Sequence, residues 1–397
     1  MSDVSGKKIL LTRFPLESAW GGEEEIHLLM AKILRKHGGE MEILTSCPHL
    51  LRAFRREKFQ TFRETQKDIT SKSQIFWSIL SVPLFFIRGI FWLAYFRYVR
   101  KIRKVLFLTL IEKVCWTQIA RVFGMKVFWG HHAPIGKWLS RNPYFFIWKF
   151  FSKTVEIVVP SEFMKKSLYD LGVQNSRIQV LLNTLPSEKD SSQILLNKNF
   201  DQEFQEFILK KIRAPLDIKN TIFIGSASRL SREKGICDLV SAAEIVLQKC
   251  PNAIFLSAGE GPEKEALERT LKEKKMETKY FFLDFLEGLE MKIFFRGIHI
   301  FVLPSHEEPF GIVLLEAMSA GKAVVAYSTG GIPDVLGNKN FGLCSSGNIP
   351  ELAEKILTLS QDDELRKELG KENFARYQKE FAPELFEKKF GQIFSLY

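Results

Sequence analysis

Short β-rich runs alternate with helical periodicities along this 397-residue chain, and the alternation starts afresh near Thr221. Such a pattern admits few folds, because each strand followed by a returning helix makes a βαβ unit, and these build a parallel sheet covered by helices. In the first half KKILLT runs into a Gly21-Gly22 turn. Ile26, Leu29, Met30, Ile33 and Leu34 then share one helical face that ends before Gly38-Gly39, and MEILTS is the next strand. KVFWG, EIVVPS and IQVLLN read as further strands, with FMKKSLYDLG as a helix between the last two. The second half repeats the order. It runs through TIFIGSAS, a helix carrying Ile236, Leu239, Val240, Ala243 and Leu247, the strand AIFLSAG, a charged helix through Lys275, then YFFLDFL and IHIFVLPS. Residues 184–220 between the halves are polar and lack strand signals, so the expected boundary is near Thr184. From Pro383 onward, Phe386, Phe390, Ile393, Phe394 and Tyr397 line one helical face that must pack, on its own domain or on the first.

With 46% apolar residues the chain is suited to two globular domains rather than to disorder. Its five cysteines (Cys47, Cys115, Cys237, Cys250, Cys344) contain no C-x-x-C pair and read as reduced thiols. MSDVSGKKILLTRF passes directly into a strand without a leader pattern, so a cytoplasmic location is expected. The net charge of +11 is uneven: residues 1–186 hold 29 Lys+Arg against 14 Asp+Glu, and the rest hold 28 against 32.

The most informative stretch is PSHEEPFGIVLLEAMSAGKAVVAYSTGG, residues 304–331. A strand ends at Pro304-Ser305, a loop carries Glu308, and Gly311 opens a helix whose first amides and dipole favour an anion. Glu316 falls within the apolar run Ile312, Val313, Leu314, Leu315, Ala317, Met318, where a carboxylate needs a partner. In SASRLSREKG, Arg229 and Lys234 lie at the carboxyl end of a strand, where open α/β sheets bind ligands and where two cations suit a diphosphate.

R-L-x-x-x-K-G (Arg229 to Gly235), G-E-G-P (Gly259 to Pro262), P-S-x-x-E-x-F-G (Pro304 to Gly311) and E-A-M-x-x-G (Glu316 to Gly321), in that order, resemble the group 1 retaining glycosyltransferases of the GT-B fold. The likeness extends through Gly21-Gly22 and VVPSEFMKKSLYDLGV, and leaves out roughly residues 50–105 and 186–218. It implies two Rossmann-like α/β/α domains facing a central cleft. Residues 1–183 would form an acceptor domain with 372–397 packed on it, and residues 184–371 a donor domain. It implies a nucleotide-diphosphate sugar as co-substrate, with no cofactor and no metal.

By the same resemblance Arg229 and Lys234 neutralise the donor diphosphate, and Glu316 hydrogen-bonds the ribose. Glu308 contacts the donor sugar, and the backbone of Phe310, Gly311, Ile312 and Val313 helps to hold sugar and phosphate. Gly21 and Gly22 let the first domain's backbone approach the phosphates. In His131-His132-Ala-Pro the family's His-x-Pro pattern favours His132 as the residue near the reacting carbon. Three departures stand out: Ser228 and Asp284 where glycine is common, and Lys322-Ala323 in place of x-Pro. The Asp284 change bears on how the nucleotide base is seated.

Residues 52–104 hold 13 Lys+Arg against 3 Asp+Glu and include IFWSILSVPLFFIRGIFWLAYF followed by RYVRKIRK. The apolar run has the length of a membrane span, but Arg88 and Pro83 interrupt it, and a span would divide one domain across a bilayer. An interfacial element with Trp77, Trp92 and several Phe at the headgroup level, and basic residues on anionic lipid, is the expectation; a core helix is the alternative. Residues 75–104 would then hold the protein peripherally on the inner membrane face, near a glycan or lipid-linked acceptor, with no role for nucleic acid. A catalytically silent membrane scaffold of the same fold is a rival reading. A dinucleotide-dependent oxidoreductase is a weaker one, since neither half has G-x-G-x-x-G after its first strand. No Asp-x-Asp metal motif occurs either, which favours a metal-independent transfer.

Overall fold

The computed structural model describes residues 7–14, 21–65, 75–132, 144–186, 200–212, 218 and 220–396. The chain divides into two compact units, residues 1–183 with 384–397, and residues 184–383. In the first, seven parallel strands follow the order β3-β2-β1-β4-β5-β6-β7. They are β1 (Lys8–Arg13), β2 (Glu40–Thr45), β3 (Thr61–Arg63), β4 (Lys104–Phe107), β5 (Lys126–Gly130), β6 (Glu156–Val159) and β7 (Ile178–Val180). The second has six parallel strands in the order β10-β9-β8-β11-β12-β13. These are β8 (Ile222–Ala227), β9 (Ala253–Ala258), β10 (Tyr280–Phe282), β11 (Ile300–Leu303), β12 (Ala323–Tyr327) and β13 (Leu343–Cys344). Each order reverses once, at β1/β4 and at β8/β11. The loops leaving those strands diverge there and open the crevice in which such sheets bind ligands.

The strands are short apolar runs because both faces are covered; β9 is buried at all six positions. The helix Gly22–Lys36 follows the expected face, with Ile26, Leu29, Met30, Ile33 and Leu34 buried.

Two expectations are corrected. Residues 184–220 are not merely a polar connector, since Phe200–Ile212 is a helix. Phe204, Phe207 and Ile208 are buried at helical spacing, and Phe204 meets Phe223 of β8 edge-on with ring centroids 5.1 Å apart. Residues 372–383 remain with the second unit instead of joining the first. The helix Asp363–Glu380 is tied there: Asn373 donates to the Lys322 carbonyl at 2.9 Å, and Arg376 donates to the carbonyls of Val335 and Asp334. Only the last helix, Pro383–Phe394, returns to the first unit. Glu387 pairs with Lys36 and His37, and Phe394 packs on Phe128 with centroids 4.5 Å apart. Tyr397, expected on the same face, lies outside the described residues.

The aromatic run forms the helix Ile75–Ala94, long and apolar enough by length and composition to cross a membrane. It is neither wholly core nor wholly surface. Phe85 and Leu93 are buried, as is Phe96 just beyond the helix, whereas Leu84, Ile87 and Phe91 are exposed. Trp92, expected at a lipid headgroup, donates to Glu64 at 2.9 Å, and Arg88 pairs with the same carboxylate at 3.0 Å. Trp77, expected at the headgroup level, lies outside the described side chains.

In the second unit His299 Nδ1 accepts the Phe223 amide at 3.0 Å, which requires the neutral ring, and burial pushes its pKa down to about 4. The unfolded chain, with an ordinary histidine near 6.5, binds a proton first as pH falls. Stability is therefore expected to be complete above about pH 6.5 and to fall by roughly 1–3 kcal/mol toward pH 4 on account of this residue. Urea midpoints across that range check it; a His299→Asn chain showing the same slope would remove His299 as the cause.

Candidate functional site

The loops leaving β8 and β11 lie side by side because those strands are neighbours at the order reversal. From β8 comes Arg229, exposed at the rim, then the turn Arg232–Lys234. From β11 comes the 304–311 loop. Lys234 Nζ reaches Glu308 Oε2 at 2.8 Å, and both side chains are largely enclosed. The Glu233 carbonyl accepts the His306 amide at 2.9 Å, which stitches the two loops together. Ser231 donates to the Glu233 carboxylate at 2.6 Å, and that bond, helped by Arg229 and Lys234, holds Glu233 below the usual carboxylate range.

Backbone proximity explains a motif glycine, Gly235, and a second, Gly330, at the end of the 304–331 stretch. Gly235 has φ +65°, and a Cβ there would sit 1.8 Å from the Pro304 carbonyl oxygen. Gly330 has φ +54°, and a Cβ there would lie 2.0 Å from the Glu308 carbonyl oxygen. The adjacent Gly331 amide donates to that carbonyl at 2.8 Å, and Thr329 donates to the Ser305 carbonyl at 2.6 Å. The G-E-G-P loop closes on the other side, with the Leu230 amide donating to the Glu260 carbonyl at 2.9 Å. Three motifs scattered in sequence thus form one rim.

The helix Ile312–Ser319 starts from Gly311 with no acidic residue in its first turn, so its amide end stays open to an anion. Glu316 is half-buried on this helix, as are Ile312 and Val313. The Phe310 side chain is 2% exposed and meets Phe381 edge-on, so only its backbone is available to a ligand. Asp284 takes φ +58°, a conformation that aspartate tolerates, and its carbonyl accepts the Gly259 amide at 2.7 Å. The usual glycine is therefore replaced without loss of backbone geometry. Its carboxylate pairs with Lys264.

Sequence reasoning did not single out a network beside this rim. Tyr327 donates to Asp238 Oδ2 at 2.8 Å, and His306 Nε2 stands 3.3 Å from the same oxygen. Burial first, then this bond, raises the Tyr327 phenol well above its ordinary value. Ser226 and Ser305 are buried, and their hydroxyls have no hydrogen-bond partner among the described residues. His306 and Ser305 lie inside the recognised motif, and that position was the available signal.

In the first unit Gly21 precedes the helix Gly22–Lys36 in an extended conformation, φ −166°. Its first turn holds Glu23, Glu24 and Glu25. Arg13, at the end of β1, bonds Glu23 at 3.1 Å and also pairs with buried Glu24. The Gly21-Gly22 turn expected to approach phosphate is thus followed at once by three carboxylates. Beyond β5, His131 is buried between Trp129 and Trp148, with Lys113 Nζ 3.5 Å from its Nδ1, and His132 is half-buried. The His132 ring meets that of fully buried His27 edge-on, centroids 5.0 Å apart. Burial lowers the pKa of all three histidines, with Lys113 adding to the effect at His131 and His132 and Arg13 at His27 and His132. Pro134 of the His-x-Pro pattern lies outside the described residues.

Residues 209–376 match the sequence profile of the group 1 glycosyl transferases. Among curated proteins the chain is 28% identical to the sulfoquinovosyl transferase of Arabidopsis thaliana, across 64% of this chain and 48% of that one. It is 30% identical to the D-inositol 3-phosphate glycosyltransferase of Corynebacterium efficiens, across 41% and 39%. The chain thus spans about half the length, or less, of the curated relatives it matches. In fold it is similar to Anabaena HepE in complex with UDP and glucose, with TM-score 0.75, 17% identity and coverage of 98% and 99%. It is also similar to a glycosyltransferase from Rickettsia africae, with TM-score 0.79, 17% identity and coverage of 98% and 97%.

If the rim depends on backbone contact, Gly235→Ala should cost at least about 2 kcal/mol, since it adds a left-handed strain to a backbone clash. A urea midpoint within error of the parent's would show that the loops can part freely.

Proposed function

The chain belongs to the group 1 glycosyltransferases of the GT-B fold, and from that premise we propose that it moves a sugar from a nucleoside-diphosphate sugar to a glycan or lipid-linked acceptor, with retention of anomeric configuration. The observation that carries this reading is the rim of the second unit, where Lys234, Glu308, Arg229 and the amide end of Ile312–Ser319 converge at the β8/β11 reversal. Arg229 and Lys234 meet the charge that grows on the departing diphosphate, so the transfer needs no divalent ion there. Glu316 takes the ribose hydroxyls and Glu308 the donor sugar, while Lys234 holds the Glu308 carboxylate in place. Retention follows if the leaving phosphate itself accepts the acceptor proton, a route that requires no second carboxylate at glycosidase spacing. His132 serves the acceptor side.

Function at a membrane face, in envelope polysaccharide or glycolipid assembly, is the further part of this reading. Its support is the exposed apolar surface of the first unit: Leu84, Ile87 and Phe91 of the helix Ile75–Ala94, the last 70% exposed. Phe146 and Phe150 of the helix Tyr144–Ser152 are exposed as well, at 76% and 65%. Both helices pack against the helix Leu110–Cys115. The capsular polysaccharide biosynthesis glycosyltransferase CapM of Staphylococcus aureus, 24% identical across 45% of this chain and 47% of that one, bears a name that agrees with such an assembly. The basic cluster contributes less than its composition implies. Arg97 donates to the Phe123 carbonyl, Arg100 pairs with Glu42, and Lys104 donates to the Phe394 carbonyl.

Nucleoside diphosphate release from a panel of nucleotide sugars tests the transfer. Lys234→Ala and Glu316→Ala should each lower kcat/KM by about 10²–10³-fold with the fold intact. Absence of binding to every nucleotide sugar would overturn the reading, and an inverted product anomer by NMR would overturn retention alone. For the membrane, the parent should sediment with vesicles containing anionic lipid, and a Leu84→Ser, Ile87→Ser, Phe91→Ser chain at least about tenfold less.

A further inference from the structure

Glu23 and His27 stand four residues apart on the first turns of the helix Gly22–Lys36, hence on one face, and His132 arrives from the end of β5. One ligand atom from each lies within 4.8 Å of the other two. His27 is fully buried, and neither of its ring nitrogens has a hydrogen-bond partner among the described residues. A buried imidazole left so costs about 1–3 kcal/mol for each unmatched polar atom, and a group that accepts the nitrogen lone pair would recover that cost at one of the two nitrogens.

The surrounding charge selects the sign of that group. Glu23 faces the pair of rings, while Arg13 is already bonded to Glu23 and Glu24 and Lys113 donates to the carbonyls of Leu108 and Gly130. An anion would meet a carboxylate here, whereas a cation would be welcomed by one. Two imidazoles and one carboxylate are borderline donors that suit zinc and neighbouring first-row ions rather than magnesium or calcium.

We propose that Glu23, His27 and His132 form a binding site for a divalent first-row transition-metal ion of the zinc class. Ligands about 2.0–2.1 Å from one ion stand roughly 3.4 Å apart. The site therefore tightens on loading, with partly exposed Glu23 and the loop residue His132 moving toward fixed His27. Arg13, bonded to Glu23 at 3.1 Å, orients the carboxylate as outer partners of metal ligands do. Three protein ligands leave a coordination position for water or an acceptor hydroxyl. This ion is held by the first unit and is distinct from the diphosphate-binding metal of Asp-x-Asp enzymes, so the proposal stands apart from the donor chemistry above.

The test uses the full chain, stripped with a chelator, in a Cys237→Ser background because Cys237 is an exposed thiol and thiols are zinc ligands. Calorimetry should give one Zn²⁺ per chain and no comparable Mg²⁺ binding, and Co²⁺ should produce the d–d absorption of a low-coordinate site. His27→Phe and Glu23→Gln should each weaken Zn²⁺ binding at least tenfold. Should His27→Phe fail to fold by circular dichroism, the half-exposed Glu23→Gln decides alone. Absence of Zn²⁺ binding, or binding that Glu23→Gln leaves unchanged, overturns the proposal. Both readouts are independent of sugar transfer, so failure of the donor reading would not disturb them.

Discussion

The second unit's site depends on backbone meeting backbone at the carboxyl ends of β8, β9, β11 and β12. Loops from these four strands lie close enough that Pro304 and Glu308 carbonyls occupy the space where the side chains of residues 235 and 330 would otherwise be. Such contact fixes where Lys234 and Glu308 emerge, so their 2.8 Å ion pair is set by the loops and not by the flexible lysine stem. A charged pair held this way costs little further conformational entropy when a ligand arrives, and preorganised charge is the kind that stabilises a developing oxyanion. Even the Asp284 departure obeys the constraint: what matters at that position is a left-handed backbone whose carbonyl can receive the Gly259 amide.

The two units share a sheet plan but not its chemistry. Both reverse strand order once, and both place a helix start beside the reversal. In the second unit the helix Ile312–Ser319 begins without a carboxylate, so its amide end and the nearby cations favour phosphate. In the first, Glu23, Glu24 and Glu25 already satisfy the helix dipole of Gly22–Lys36, and Arg13 is spent on two of them. The first helical turn is thus acidic in one unit and free of carboxylates in the other.

What was legible in the sequence was mostly local. Strand and helix alternation, the Ile26–Leu34 face and the Arg229, Lys234, Glu308 and Glu316 spacing are short-range patterns, and the sheets and the loop pair Lys234–Glu308 follow from them. What was not legible depends on partners distant in sequence. Phe204 is recognisable as core only beside Phe223, and Asn373 holds its helix to the second unit only through Lys322 and Asn340. His27 looked like an ordinary member of an amphipathic helix, because nothing local shows that His132, more than a hundred residues later, comes to its side. The ring of Phe310 likewise finds its place only against Phe381, about seventy residues on, which leaves its backbone on the loop.

Composition misleads most where charge and apolar surface coincide. The basic excess of the first half suggests a broad attraction to anionic surfaces, yet Arg88 neutralises Glu64, Arg100 neutralises fully buried Glu42, and Arg97 and Lys104 hold backbone carbonyls. A guanidinium bonded to a buried carboxylate is part of the fold's own electrostatics and contributes little to long-range attraction. The apolar half of the same segment behaves in the opposite way: Phe85, Leu93 and Phe96 anchor it in the core and so hold Leu84, Ile87 and Phe91 outward. Any affinity of this segment for lipid must therefore rest more on exposed aromatic and aliphatic area than on charge, and should persist at salt concentrations that screen a purely basic patch.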